Sequence, residues 1–169
     1  MRLCGAAITV LFVFVMTSGL AARPERVSDS AECKRIIARL LEATDATFDH
    51  YSPSGESVFF RSPRSVLSCM SHRRTGISFT WDASGFPPNE WFRSLAKAGK
   101  AVTGADLKKL ESASRQCQRS ALKDRTKRAD LEIPKAKIEC QASTRDGGGV
   151  DIGIWMDDAL SVSPALNKR

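Results

Sequence analysis

His50 and His72 are the only two histidines in the chain, so any imidazole general base or ligand must be one of them. A serine triad needs a histidine between a nucleophile and a carboxylate. His50 follows Asp49 directly in a predicted strand, where adjacent side chains point to opposite faces. His72 sits in a turn with Arg73 and Arg74, whose charges oppose its protonation. No Gly-x-Ser-x-Gly elbow is present. Neither histidine is therefore assigned a catalytic role.

Paired carboxylates are the other route to acid–base chemistry, as in glycoside hydrolysis. Glu56, Asp82, Glu90, Glu139, Asp151 and Asp157 are available. Glu139 and Asp151 fall on the polar sides of two predicted strands and are expected on one sheet face. A solvated surface is the expectation for all six. The run Gly147-Gly148-Gly149 lacks the dinucleotide fingerprint and lies between two predicted strands, so it reads as a hairpin turn. Gly99-Lys100 is followed by Ala101, which excludes a phosphate-binding P-loop. No catalytic residue, cofactor or metal is assigned.

The five cysteines take their meaning from the N-terminus. Arg2 is the only charge in residues 1–22; an apolar run follows from Ile8 to Met16, and Ser18-Gly19-Leu20-Ala21-Ala22 closes the segment. This is the layout of a cleaved secretory signal peptide. The run is too short for a membrane span, which needs about 20 apolar residues. Cleavage removes Cys4 and leaves Cys33, Cys69, Cys117 and Cys140. Four cysteines in an exported chain predict two disulfides. None lies in a C-x-x-C pair, which argues against a redox or zinc site. The favoured pairing is Cys33–Cys69 and Cys117–Cys140, the neighbours in sequence. Bacterial periplasm or the extracellular space is the expected location. Neither Asn89 nor Asn167 begins an N-glycosylation site.

The elements that must position these residues follow from periodicity. Asp29, with Glu32 three residues on, is the predicted cap of a first helix. Cys33, Ile36, Ile37, Leu40 and Leu41 form its apolar stripe. Strands are predicted at Thr47–Tyr51 and Glu56–Phe60 around the turn Ser52-Pro53-Ser54-Gly55, then at Val66–Ser71 and Ile77–Asp82. A second helix runs from Asn89 to about Ala101. A third is predicted to restart at Thr103-Gly104-Ala105-Asp106 by another capping box, with Leu107, Leu110, Ser114, Cys117 and Ala121 inward. Ala136–Ala142 and Val150–Met156 alternate apolar and polar residues as two further strands. Residues from 161 onward read as a disordered tail.

The order α-ββββ-αα-ββ, with one-sided strands and amphipathic helices, predicts a two-layer α+β domain over residues 23–160. Three helices would cover one face of a mainly antiparallel sheet, leaving the other face open.

The surface offers two handles. Arg115, Arg119 and Lys123 recur every four residues along the third helix, and Arg125, Lys127 and Arg128 extend the charge. The formal charge of the whole chain is +7. Such a ridge is either a solvated helix end or a site for an acidic protein, an anionic envelope polymer or phospholipid headgroups. Without a recognisable module, nucleic acid is not expected. Trp155 falls on the polar side of its strand, and Trp91 flanks Pro87-Pro88; both are candidate contact residues. The resulting expectation is a small exported binding or inhibitor-type envelope module without catalysis. The alternatives are a small hydrolase using carboxylates or a histidine, and a structural subunit of an envelope assembly that pairs through an edge strand.

Overall fold

The computed structural model describes residues 27–70, 75–143 and 149–157. The predicted signal peptide, His72, the first two glycines of the Gly147–Gly149 turn and the predicted tail lie outside them. A short 3-10 turn, Val27–Asp29, precedes helix α1 (Ala31–Ala43). Strands β1 (Thr47–Tyr51), β2 (Ser57–Arg61), β3 (Ser65–Cys69) and β4 (Thr75–Trp81) follow. Helices α2 (Asn89–Thr103) and α3 (Leu107–Lys123) lead into β5 (Arg128–Ile133), β6 (Ala136–Ala142) and β7 (Val150–Met156).

All seven strands form one antiparallel sheet in the order β1-β2-β3-β4-β7-β6-β5. The predicted α+β class and the order of helices and strands are found. The sheet gains one strand, β5, whose Arg128, Asp130 and Glu132 are exposed while Ala129, Leu131 and Ile133 are half-buried. That alternation is a strand signal. The preceding basic residues masked it, because Arg128 reads equally well as the end of a charged helix.

The helices cover one face because only one set of alternating side chains can leave water. Ile77, Phe79, Ile138, Ile152 and Ile154 are buried beneath Leu95 and Val102 of α2 and Leu110 and Cys117 of α3. Burying each large apolar side chain contributes about 1.5–3 kcal/mol. Gly99 brings α2 against β7: a Cβ there would fall 2.6 Å from Ile154 Cδ1. Two staples fix helix to sheet, Cys33–Cys69 between α1 and β3 and Cys117–Cys140 between α3 and β6. This is the pairing favoured from the spacing.

Local chemistry corrects the predicted caps. Ser30, not Asp29, caps α1, its hydroxyl accepting from the Cys33 amide at 3.2 Å. Asp106 caps α3 by accepting from the Lys109 amide at 2.9 Å. Thr103 instead ends α2, donating to the Gly99 carbonyl at 2.8 Å. Gly104 follows at φ 70, the left-handed geometry that closes a helix. The Ser52–Gly55 turn forms as predicted, with the Gly55 amide donating to the Ser52 carbonyl at 2.9 Å.

Candidate functional site

The open face can be mapped from strand register. Residues paired across the sheet give one continuous row: His50, Phe59, Val66, Ser78, Gly153, Glu139 and Asp130. Thr80, Asp151, Gln141 and Arg128 form a parallel row on one side, and Gly76, Trp155, Lys137 and Glu132 on the other. The expectation that Glu139 and Asp151 share this face is met. Glu139 faces Gly153, two residues along β7 from Asp151, which makes them diagonal neighbours at about 7–8 Å between backbones.

Over β4, β7, β6 and β5 this face forms a groove of about 640 Å³. Its lining includes Ser78, Arg128, Asp130, Glu139, Asp151 and Trp155. Glycine makes room for the indole. A Cβ on Gly153 would fall 2.8 Å from Trp155 Nε1, and one on Gly76 2.7 Å from Cδ2. The half-buried ring therefore lies flat across two residues without side chains, the arrangement by which an aromatic covers strand glycines.

The acids beside it are held in place. Lys137 Nζ lies 3.1 Å from Glu139 and 3.3 Å from Asp130. These partners, Glu139 foremost, hold the Lys137 ammonium protonated above its ordinary range. Asp151 accepts a hydrogen bond from Thr80 Oγ1 at 2.6 Å. The groove is thus a preorganised charged surface. Among the described residues, no cluster of three or more histidines, cysteines or carboxylates is arranged to hold a metal.

The far end of the same face differs from expectation. The register of β1 shifts between Phe48 and His50, and this bulge bends the strand locally. Asp49 and His50 consequently meet instead of pointing apart, with Nδ1 to Oδ2 at 3.2 Å. Arg61 Nε donates to Asp49 at 2.8 Å. The Arg61 hydrogen bond is the main reason the Asp49 carboxyl lies below its ordinary range. His50 stacks on Phe59 at 4.5 Å, nearly parallel. The pair resembles two members of a triad, but His50 faces solvent over an aromatic ring.

The remaining candidates scatter. Trp91, expected at the surface, is 6% exposed and packs edge-on against Phe79, Trp81 and Phe92. Phe86 carries the exposure at that corner, at 58%. Arg115 is built into the fold: its guanidinium lies 4.4 Å from the Phe92 ring centre. It also bonds Glu111 at 2.7 Å and the Asn89 side chain at 2.9 Å. Lys127 donates to the Leu122 carbonyl at the end of α3, at 2.8 Å. Arg119, Lys123 and Arg125 are exposed, and Arg128 turns onto the open face. The six cations expected as one ridge are therefore divided between helix, turn and sheet. Asp82 pairs with Arg64 at 2.9 Å, and Glu90 lies 3.9 Å from Arg93, both away from the groove.

Charge is divided between the layers. The open face carries carboxylates at Asp49, Asp130, Glu132, Glu139 and Asp151 against cations at Arg61, Arg128 and Lys137. On the helices the exposed cations are Lys34, Arg35 and Arg39 on α1, then Arg93, Lys97 and Lys100 on α2. Helix α3 adds Lys108, Lys109, Arg119 and Lys123; the exposed helical acids are Glu32, Glu42 and Glu90. Exposed cations thus predominate on the helix layer, and carboxylates on the sheet face.

Asp130, Gln141, Ser78 and Lys137 carry no motif in the sequence that marks them as site residues. Asp130 and Lys137 become recognisable once β5 is read as a strand, because Asp130 then pairs with Glu139.

Fold and site together define a disulfide-stapled two-layer α+β domain with one acidic, grooved sheet face. Comparison with family models, curated proteins and solved structures finds no match.

Proposed function

We propose that this protein is an exported, non-catalytic binding module of the cell envelope or extracellular space, and that the open sheet face is its ligand surface. The two disulfides support an oxidising compartment. One observation carries the choice of surface: an open groove of about 640 Å³ where Trp155 lies beside Asp130, Glu139 and Asp151. Carboxylates and an indole face favour the same ligand charge, since cations pair with the former and sit over the latter. The ligand proposed is a Lys- or Arg-bearing segment of a partner protein. An acidic partner fits the helix layer better than this face.

Affinity capture from an envelope extract, using the oxidised chain from Arg23, tests this reading. A basic partner should be recovered by the parent and lost with Trp155→Ala and with Asp151→Asn. Equal recovery by all three forms would exclude the groove.

The diagonal pair Glu139 and Asp151 favours one second reading, a hydrolase. Glu139→Gln would then abolish turnover and leave binding intact, whereas in a binding module it weakens binding itself. Edge pairing into an assembly is disfavoured. Strand β1 is interrupted by its bulge, and β5 presents Arg128, Asp130 and Glu132 before ending at Pro134, features that protect sheet edges.

A further inference from the structure

We propose that the outer surface of the helix layer docks the protein onto an anionic phospholipid bilayer, with the sheet face and its groove turned outward. The observation is the placement of cations. Arg93, Lys97 and Lys100 follow i, i+4, i+7 spacing on α2 and form one stripe opposite its buried face. On α3, Lys108, Arg119 and Lys123 fall at i, i+11 and i+15, three and then four turns on, and also form one stripe opposite the buried face. Helix α2 packs between α1 and α3, so the stripes lie side by side, and α1 adds Arg35 and Arg39.

Four further points fit a lipid surface. The charge is spread across helices about 20–25 Å long, as a flat partner requires, instead of following one groove as a single polymer strand would. Four of the six stripe cations are lysines, which act as point charges and do not need the planar, bidentate partners that arginine selects. Among the described ion pairs, the only one these six make is the 3.9 Å approach of Arg93 to Glu90. The opposite face carries the excess of carboxylates, so an anionic bilayer attracts one layer and repels the other. This docking is independent of what the groove binds.

The test is flotation of the oxidised chain from Arg23 with vesicles of phosphatidylglycerol and phosphatidylcholine, or of phosphatidylcholine alone. Removing residues 1–22 excludes insertion by that apolar segment, and the core lies wholly within residues 33–154. Binding should require phosphatidylglycerol. It should also disappear between ~0.1 and ~1 M salt, where the screening length falls from ~10 to ~3 Å.

The triple variant Arg93→Gln/Lys97→Gln/Lys100→Gln should bind about 100-fold more weakly, from about one factor of five per surface cation. Lys108→Gln/Arg119→Gln/Lys123→Gln provides the same test on a second helix. The matched control, Arg61→Gln/Arg64→Gln/Lys135→Gln, loses the same charge off the helix layer and should bind nearly as the parent does. Equal losses in control and helix variants would overturn the proposal, because net charge alone would then explain binding. So would equal affinity for phosphatidylcholine, or binding to soluble polyglutamate without binding to anionic vesicles.

Discussion

The two faces of the sheet use the same seven strands for opposite purposes. Under the helices, Ile77, Phe79, Ile138, Ile152 and Ile154 exclude water and hold the domain together. One residue along each strand, Ser78, Thr80, Glu139 and Asp151 remain polar on the other face, in or beside a groove. A period-2 pattern thus separates the buried side chains from the surface proposed for recognition within single strands. The covered face should be sensitive to volume, and the open face to charge and to the seat of one indole.

Removing packing from the covered face should have the largest effect. Phe79→Ala is expected to cost about 3–5 kcal/mol, while Ser78→Ala beside it should stay within about 0.5 kcal/mol. Urea unfolding of both variants checks the contrast, and comparable losses would break it. The staples come next. Loss of Cys117–Cys140, which closes 23 residues, or Cys33–Cys69, which closes 36, should each cost about 3–4 kcal/mol by chain entropy. Cysteine-to-alanine pairs measured under oxidising conditions give these values.

Glycines lie against both faces of the sheet. Gly99→Ala drives a Cβ into Ile154 on the covered side and should cost about 1–3 kcal/mol despite better helix propensity. Gly153→Ala on the open side should instead displace the Trp155 ring, with about 1–2 kcal/mol lost from a partly yielding contact. Its signature is a change in near-ultraviolet dichroism together with weakened ligand binding. Intact binding in a folded Gly153→Ala protein would remove the indole from the recognition surface.

Titration of the open face should give the smallest effect. The Asp49 carboxyl is depressed chiefly by its Arg61 hydrogen bond. Its contribution is therefore complete above the ordinary carboxylate pKa of 3.8 and is lost as pH falls through the depressed value. Lys137 is raised, chiefly by Glu139 and then by Asp130. Its contribution is complete below 10.5 and is lost as pH rises through the raised value. Stability profiles of Asp49→Asn and Lys137→Met should lose the corresponding acid and alkaline slopes and leave the mid-range curve unchanged in shape. Because both side chains are only half-buried, salt should reduce the effects further.

What the sequence disclosed and what it concealed have the same physical origin. The alternations of β4, β6 and β7 and the stripes of the three helices were legible because burial enforces periodicity. The disulfides were legible because their cysteines occupy those periodic inward positions. The bulge at Asp49 was not, since an inserted residue breaks the two-residue period that would reveal it. Trp91 misled because its proline neighbours suggest exposure, while the first turn of α2 faces Phe79. The parity of β7 sets Trp155 on the open face, opposite Gly76 and Lys137. Its seat was hidden, because Gly76 becomes its neighbour only when β4 and β7 pair across the intervening helices. Asp130 stayed hidden for a different reason: the basic residues before it mask β5, and only its pairing with β6 sets Asp130 opposite Glu139.

Amide chemical-shift mapping of the oxidised protein shows whether the open sheet face is the surface that recognises the ligand. Tetra-arginine, tetra-lysine and tetra-glutamate peptides are suitable probes. The cationic peptides should shift the amides of Ser78, Asp130, Glu139, Asp151 and Trp155, the acidic peptide should not, and Asp151→Asn should weaken the response. Shifts from the cationic peptides that avoid these residues, or no response to them, would contradict recognition at this face.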